Sequence, residues 1–333
     1  MEPRNAALRA AERMIVDEVA ETAFSRSNMT ALAPLMRDYQ KYIQTSQVMN
    51  VSASKTTTTV EVECFVKRGE LLRDGAELLS TGLVRPPTVL VLLTEHIASA
   101  ETATCREGGA AEASLVKGFE DAKFDVVDRD ILRAAIDEQD LVAMITGDLD
   151  AAKRLVRQTV ADVVVLGESK TEAVREVASG NMLKNKGSVS VRIFRNADDK
   201  LVETLGQEAV VHSVDPLEGG QAAIENASQK LSKELVLYAI VAATSAPASH
   251  DIIVTIEKPG ERSRFDSVLE RLKAISTGDV EELFYSQSLA RVRVAHDGSL
   301  AGLVDGLAAA KYDGSALETR QAVEHSVVVR FSQ

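Results

Sequence analysis

Hydrophobic and polar residues alternate with a helical period at the start of the chain and with a period of two soon afterwards. Residues 6–24 carry an apolar stripe at spacings of three and four, which predicts an amphipathic helix, and a second helix is expected over Met29–Thr45. Two β-like stretches follow, at 47–52 and 56–66. In the second, one buried face is predicted for Val60, Val62, Cys64 and Val66. A short helix near residues 68–79 completes an α+β segment that ends at Pro86-Pro87.

The middle of the chain changes to runs of consecutive apolar residues. Residues 88–93 and 161–167 are almost wholly apolar, which predicts strands covered on both faces. A short strand is expected at 124–128. Helices are predicted around residues 111–122, 130–143 and 148–159. This alternation of helices and buried strands indicates right-handed β-α-β crossovers.

A hairpin and a long helix close the middle segment. Residues 189–193 and 201–211 are predicted to pair around the turn Asn196–Asp199. An amphipathic helix is expected over 221–239, and the small residues of 242–249 predict a linker.

The last segment follows the order of a βαββαβ unit. Strands are predicted at 252–256, 280–285, 290–294 and 323–331, with helices around 265–275 and 300–307. Ser263, three residues before Asp266, resembles a capping box at the first helix. The order matches a ferredoxin-like sandwich, a fold that serves many functions.

Together these patterns predict an α/β and α+β protein of three small domains. The boundaries are 1–85 for an N-terminal helix-and-strand α+β domain, 86–247 for a mixed-sheet α/β domain, and 248–333 for the ferredoxin-like domain. A chain of 333 residues and 35.8 kDa is long enough for each domain to have its own core. Because only 4% of residues are aromatic, those cores must be built from Val, Leu, Ile and Ala.

Charge limits the classes of partner. A net charge of −12 and a pI near 5.1 disfavour nucleic acid or an anionic membrane as the main partner. Arg291 and Arg293 are expected to face outward on a solvated sheet face of the last segment. Two arginines without an exposed aromatic pair make a weak RNA-binding signal.

The sequence does not determine where in the cell the protein is located. The longest apolar run, Leu235–Ala243, is far shorter than the roughly 20 residues of a membrane-spanning helix. Charged residues interrupt Ala6–Val19, so the N-terminus does not have the pattern of a signal peptide. The chain is therefore a cytoplasmic protein, or a mature exported chain whose leader was removed and replaced by Met1.

The candidate chemical groups are scattered. Cys64 lies on the Val face of a strand and Cys105 lies in a small polar stretch; their spacing does not decide whether they pair. Asp125, Asp128 and Asp130 do not follow a calcium-loop pattern, and a helix-capping role for Asp128 or Asp130 is favoured. Gly108-Gly109 precedes a helix but lacks the lysine of a P-loop, so a plain loop is expected.

No catalytic motif appears among the nucleophiles and histidines. There is no G-x-S-x-G elbow, and no metal-ligand spacing links His96, His212, His250, His296 and His325. The sequence therefore predicts a protein that is not an enzyme, with no catalytic, cofactor-binding or metal-ligating residues and no cofactor.

The order of segments resembles the bacterial flagellar assembly protein T family. The resemblance lies in the Ala-rich helix start Ala6–Val16 and the strand Thr59–Cys64. That first part also looks like small outer-membrane lipoproteins. The middle segment is similar to the amino-terminal domain of the Tol translocation protein B and to curli-secretion lipoproteins, in the stretches Pro87–Val91, Phe124–Asp128 and Ala161–Gly167 and in the hairpin Val189–Val211.

The resemblance implies a non-catalytic scaffold of the cell envelope. Members of the family build a ring around the periplasmic rod, so the expectation is a periplasmic homo-oligomer that contacts other envelope or flagellar proteins. The alternative is a cytoplasmic ligand sensor or enzyme. It would use the middle α/β crevice outside the strand carboxyl ends, near Glu95 and Glu168.

Overall fold

The structure is a computed structural model. It describes residues 2–24, 28–53, 58–83, 86–96, 109–129, 138–159, 161–175, 182–245, 251–296, 299–312, 314–323 and 326–332. The chain forms two compact units, one made of Met1–Arg85 with Leu237–Ala246 and the other of Pro86–Val236 with Pro247–Gln333. The predicted division into three domains stays a prediction.

The first unit packs three helices around an antiparallel strand pair. Its elements are α1 (Glu2–Phe24), α2 (Met29–Arg37), a 3-10 turn (Tyr39–Tyr42), β1 (Ile43–Ala53), β2 (Thr58–Val66) and α3 (Arg68–Ser80). Gly75 lets α3 pack closely on Phe24 of α1, because a Cβ on Gly75 would lie 2.2 Å from Phe24 Cζ. The core includes Val16, Ala20, Phe24, Leu32, Leu71, Leu72 and Ala76.

One predicted helix of this unit is too long. The helix expected over Met29–Thr45 ends at Arg37, and strand β1 already begins at Ile43. Ile43 pairs with Val66 and Thr45 pairs with Phe65 in an antiparallel ladder. Since β-branched residues fit a paired strand well, pairing with β2 overrides the helical spacing.

The second unit contains a five-stranded mixed sheet. Its strands are β3 (Thr88–His96), β4 (Asp125–Val126), β5 (Val163–Arg175), β6 (Leu183–Arg195) and β7 (Lys200–Ser213), in the order β4-β3-β5-β6-β7. Strand β3 is parallel to β4 and β5, whereas β6 and β7 follow as antiparallel neighbours. The predicted buried strands and hairpin are confirmed.

Helices lie on both faces of this sheet. They are α4 (Ala110–Asp121), α5 (Glu138–Thr146), α6 (Leu149–Arg157) and α7 (Pro216–Thr244), whose last residues belong to the first unit. On one face, α5 and α6 share a buried cluster with Leu90, Leu92, Val164 and Leu166. On the other face α7 lies directly on β6, because a Cβ on Gly187 would be 2.5 Å from the Ala223 carbonyl carbon.

The same unit holds a second sheet with two helices. Its elements are β8 (Asp251–Glu257), α8 (Arg262–Ile275), β9 (Val280–Tyr285), β10 (Leu289–Ala295), α9 (Leu300–Ala308), β11 (Lys311–Tyr312), β12 (Ser315–Val323) and β13 (Ser326–Phe331). The strand order is β11-β12-β13-β8-β10-β9. Both helices pack on one face, in a cluster that includes Phe265, Leu272, Val292, Leu303 and Val329.

The predicted βαββαβ order is present with an addition. Where one final strand was expected over 323–331, β12 and β13 form a hairpin, and β13 runs parallel to β8. The capping box is wrong: α8 begins at Arg262, so Ser263 lies inside the helix and the N-cap residue is Glu261. The predicted α/β and α+β class is confirmed.

Among the described helices, none combines the length and the apolar character that crossing a membrane requires.

Candidate functional site

The crevice at the carboxyl ends of β3 and β5 is the place where an α/β sheet of this kind would hold a ligand. Glu95 extends from β3 into this crevice. Its carboxylate accepts hydrogen bonds from Ala110 N (3.4 Å), from Ala111 N (3.2 Å) and from Ser169 Oγ (3.2 Å). Glu95 therefore occupies the N-terminus of α4, where the unpaired N–H groups favour an anion.

Gly109 makes this arrangement possible. It is the N-cap residue of α4, and a Cβ at this position would lie 2.2 Å from Glu95 Oε2. A Cβ at this position would displace the Glu95 carboxylate from its hydrogen bonds. Gly108, the other glycine of the pair, lies outside the described residues.

A second carboxylate closes the crevice from the side of α4. Glu112 is buried, its Oε2 accepts a hydrogen bond from Leu93 N (3.1 Å), and its Oε1 forms an ion pair with Arg129. Both acidic groups thus bind the protein's own backbone and side chains. Their arrangement supports a structural role in joining α4 to the end of β3.

Glu168, the other residue named for the crevice, does not join Glu95. It pairs in register with Thr94, whereas Glu95 pairs with Ser169, so the two glutamates lie on opposite faces of the sheet. Glu168 forms an ion pair of 2.8 Å with Lys170 at the surface. Ser169 was not predicted from the sequence, because only the register of β3 and β5 sets it opposite Glu95.

The remaining candidate groups stay apart. Asp125 and Asp128 are exposed, and Asp130 lies outside the described residues. Within the described ranges, no three His, Cys, Asp or Glu residues are placed to hold a metal ion. Cys64 is a free, half-buried thiol whose pKa is raised by burial and by the nearby Glu12. Its pairing with Cys105 is untested, because Cys105 lies outside the described residues.

The histidines do not converge either. His96 and His212 are exposed, while His296 is half-buried beside the end of β10. His250 and His325 lie outside the described residues.

Arg291 overturns the expectation of a solvated sheet face. It is buried, and its Nη1 donates hydrogen bonds to Asn196 Oδ1 (2.8 Å) and to the carbonyl oxygen of Arg157 (3.1 Å). Ile253 and Thr255 of the neighbouring strand are buried on the same face. The turn after β6 and the end of α6 cover this part of the sheet, which alternation along β10 alone did not reveal.

Arg293 is also paired rather than free. It donates to Asp199 Oδ2 (3.0 Å) and to Glu281 Oε2 (2.9 Å). Asp199 Oδ2 accepts a further hydrogen bond from Arg157 Nε (2.7 Å). We call these hydrogen bonds of Arg157, Asp199 and Arg293 the polar joint; they fix the second sheet to the β6–β7 turn. Burial lowers the pKa of the neighbouring Arg291 to about 10.

A different surface lies at the far end of the β5–β6–β7 ladder. Val174 pairs with Lys184, which pairs with His212, and the adjacent row joins Glu172, Lys186 and Val210. Directly paired residues share a face, so Val174 and Val210 lie on the face opposite α7. Met182 immediately precedes β6 and Val214 immediately follows β7, and both are exposed. We call Val174, Met182, Val210 and Val214 the distal ladder face.

Comparisons with known proteins give distant structural similarities only. No family model matches the chain, and no curated protein matches it. Among solved structures, lipoprotein GNA1162 from Neisseria meningitidis is 13% identical with a TM-score of 0.26, over 39% of this chain and 86% of that chain. The C-terminal domain of LpoB from Salmonella enterica is 12% identical with a TM-score of 0.25, over 40% and 93%.

A PelC dodecamer from Paraburkholderia phytofirmans is 13% identical with a TM-score of 0.27, over 45% of this chain and 91% of that chain. At these TM-scores the similarities establish neither a shared fold nor a shared function. The resemblance to the flagellar assembly protein T family rests on the sequence patterns alone.

Proposed function

We propose that this protein is a non-catalytic scaffold or assembly protein of the bacterial cell envelope that acts through protein–protein contacts. In its finer form, the proposal is a periplasmic component of a flagellar or secretion-machine ring. The order of segments supports the envelope assignment, through the resemblance of the N-terminal helix and strand and of the middle segment.

The distal ladder face is the observation that carries the contact-based function. Val174 is 54% exposed, Met182 40%, Val210 45% and Val214 69%. Single exposed apolar side chains are ordinary, but a group of them on one sheet face is typical of an interaction surface. Lys184, Lys186 and Glu172 lie among them in the paired rows, and Lys186 is ion-paired with Glu208 over 2.8 Å. A partner would therefore meet apolar groups together with charges of both signs.

The crevice of β3 and β5 supports the non-catalytic part of the proposal. Glu95 fills the anion-binding end of α4, and Glu112 is bound to Leu93 N and Arg129. A ligand carboxylate or phosphate at this position would have to displace a side chain that is already hydrogen-bonded. The alternative of a ligand sensor using this crevice is thereby disfavoured.

The test is a comparison of chromosomal variants in the bacterium that carries the gene. Val174, Val210 and Val214 are replaced by serine, and Leu149→Ser serves as control because Leu149 is an exposed apolar residue elsewhere in the same unit. We expect the triple variant to show the phenotype of a gene deletion at normal protein level, while Leu149→Ser behaves as wild type. A crevice variant, Ser169→Ala, should also behave as wild type.

Two results would overturn the proposal. One is a wild-type phenotype for the triple variant together with a deletion phenotype for Ser169→Ala, which would place the function in the crevice. The other is a cytoplasmic location of the protein expressed from its own gene, measured by fractionation and by protease access in permeabilised cells.

A further inference from the structure

Three buried side-chain atoms around the polar joint have no hydrogen-bond partner in the part of the chain that the structure describes. They are Asp199 Oδ1, Arg291 Nε and Gln158 Oε1. Asp199 and Arg291 are each only 3% exposed, so bulk solvent does not reach them. Buried polar atoms in folded proteins nearly always have a partner, and an unpaired one destabilises the fold.

The hydrogen bonds on the other atoms of these groups bring the three side chains to the end of α6. Arg291 Nη1 donates to the carbonyl oxygen of Arg157 over 3.1 Å, and Arg157 Nε donates to Asp199 Oδ2 over 2.7 Å. Gln158 directly follows Arg157 and is the C-cap residue of the helix. The guanidinium of Arg291, the carboxylate of Asp199 and the amide of Gln158 thus all lie beside Arg157.

The three atoms offer the set of donors and acceptors that one water molecule satisfies. An arginine Nε is a donor only, whereas a carboxylate oxygen and an amide oxygen are acceptors. We propose that one water molecule is bound beside the polar joint. It accepts a hydrogen bond from Arg291 Nε and donates to Asp199 Oδ1 and Gln158 Oε1, and about three bonds is the number that buried waters typically make.

An ion fits the same set of groups less well. Two of the three atoms are acceptor oxygens, one of them on the charged carboxylate of Asp199, so an anion is repelled. A cation is opposed by three guanidinium groups, since Arg157 and Arg293 bind Asp199 and Arg291 lies next to them. A neutral molecule that both donates and accepts is therefore favoured.

The water would connect three separate segments of the second unit. Gln158 belongs to the end of α6, Asp199 to the turn between β6 and β7, and Arg291 to β10. This inference goes beyond the proposed function, because the water would be bound whichever envelope partners the protein has. The two proposals use different residues, so the failure of one leaves the other standing.

The direct test is a crystal structure of the full chain at a resolution that shows ordered waters. We expect one water within hydrogen-bond distance of Asp199 Oδ1, Arg291 Nε and Gln158 Oε1. A direct bond between Arg291 Nε and Asp199 Oδ1 overturns the inference, as does a site without electron density between the three atoms.

Urea unfolding of Gln158→Met tests the same water in solution. Methionine is similar in size to glutamine but has no amide oxygen, so the water loses one partner and the equilibrium constant of unfolding should rise roughly fivefold. If Gln158 Oε1 were buried without a partner, its removal would stabilise the chain instead. Gln229→Met, at an exposed position of α7, is the control for the substitution itself. A Gln158→Met chain as stable as the control, or more stable, overturns the inference.

Discussion

Arg293 Nη2 donates a hydrogen bond of 3.0 Å to Asp199 Oδ2, and this bond joins strand β10 to the turn between β6 and β7. The same oxygen accepts from Arg157 Nε over 2.7 Å. Asp199 has a φ of 54°, in the left-handed region where a glycine would be the relaxed choice. An aspartate is explained here by its two arginine partners, which belong to α6 and β10.

Replacing Asp199 should destabilise the second unit, because the negative charge that binds Arg157 and Arg293 is lost. Asp199→Asn keeps a residue that tolerates the left-handed conformation and removes the negative charge, so we expect a loss of about 2 kcal/mol in the free energy of unfolding. Asp199→Gly relaxes the backbone but also removes both hydrogen bonds, so this variant should be less stable than wild type. Urea unfolding measures the difference. Equal stability of Asp199→Asn and wild type would show that the joint contributes nothing.

Arg291 should be among the most sensitive residues of the second sheet. Arg291→Ala leaves Asn196 Oδ1 and the Arg157 carbonyl oxygen without their donor and opens a cavity, so we expect a loss of about 3 kcal/mol or more. Glu281→Ala removes only an exposed partner of Arg293 and serves as the control, with little expected change. Chemical denaturation of both variants is the measurement. A similar small effect for the two would contradict the burial of Arg291.

Glu95 and Gly109 should be coupled. Gly109→Ala puts a Cβ 2.2 Å from the Glu95 carboxylate, so it should destabilise the wild-type chain. Glu95→Ala alone removes the cap of α4 and should cost about 1 kcal/mol. In the double variant the clash is gone, so the cost of Gly109→Ala should largely disappear. Additive costs in this double-mutant cycle, measured by thermal unfolding, would show that Glu95 does not occupy the helix end.

Asp74 should make the stability of the first unit depend on acid pH. Burial would raise the pKa of Asp74, but hydrogen bonds from Lys41, Tyr42 and Arg73 outweigh it and lower the pKa below 3.8. Since the folded-state pKa is below the unfolded value, the stabilisation is complete above the unfolded pKa. It is lost as pH falls through the folded pKa.

The matching variant is Asp74→Asn. It should be less stable than wild type at pH 7, and the difference should shrink as the pH is lowered below about 4, the ordinary pKa of an aspartate. Burial, followed by the charge of Asp74, raises the pKa of Tyr42 to about 12, so Tyr42 remains a neutral donor to Asp74 throughout this range. A difference between the two proteins that is independent of pH would refute the role of the Asp74 charge.

Local patterns predicted most of the elements because their causes are local. The apolar runs of β3 and β5 and the alternation in β8 and β10 follow directly from which faces are buried. The boundary at Ile43 was wrong because its strand character depends on pairing with Val66, which lies 23 positions further along the chain. Helical spacing and β-branching gave opposing predictions there, and pairing with β2 determined that the segment is a strand.

The polar sites could not be read from sequence in the same way. Glu95 meets Ser169 through the register of two parallel strands, and a shift of one residue would bring Glu168 there instead. Arg291 was predicted to be a surface residue because apolar and polar residues alternate along β10, as in a strand with one solvent-exposed face. Its burial comes from the β6–β7 turn and the end of α6, which belong to another part of the chain.

The most direct test of the contact-based function is photocrosslinking in intact cells from a photoreactive amino acid at position 174. Val174 lies on β5, and Leu149 provides an exposed control position in the same unit. We expect a discrete protein adduct from position 174 and none from position 149. Absence of any adduct from position 174, with the protein present at its normal level, would contradict it.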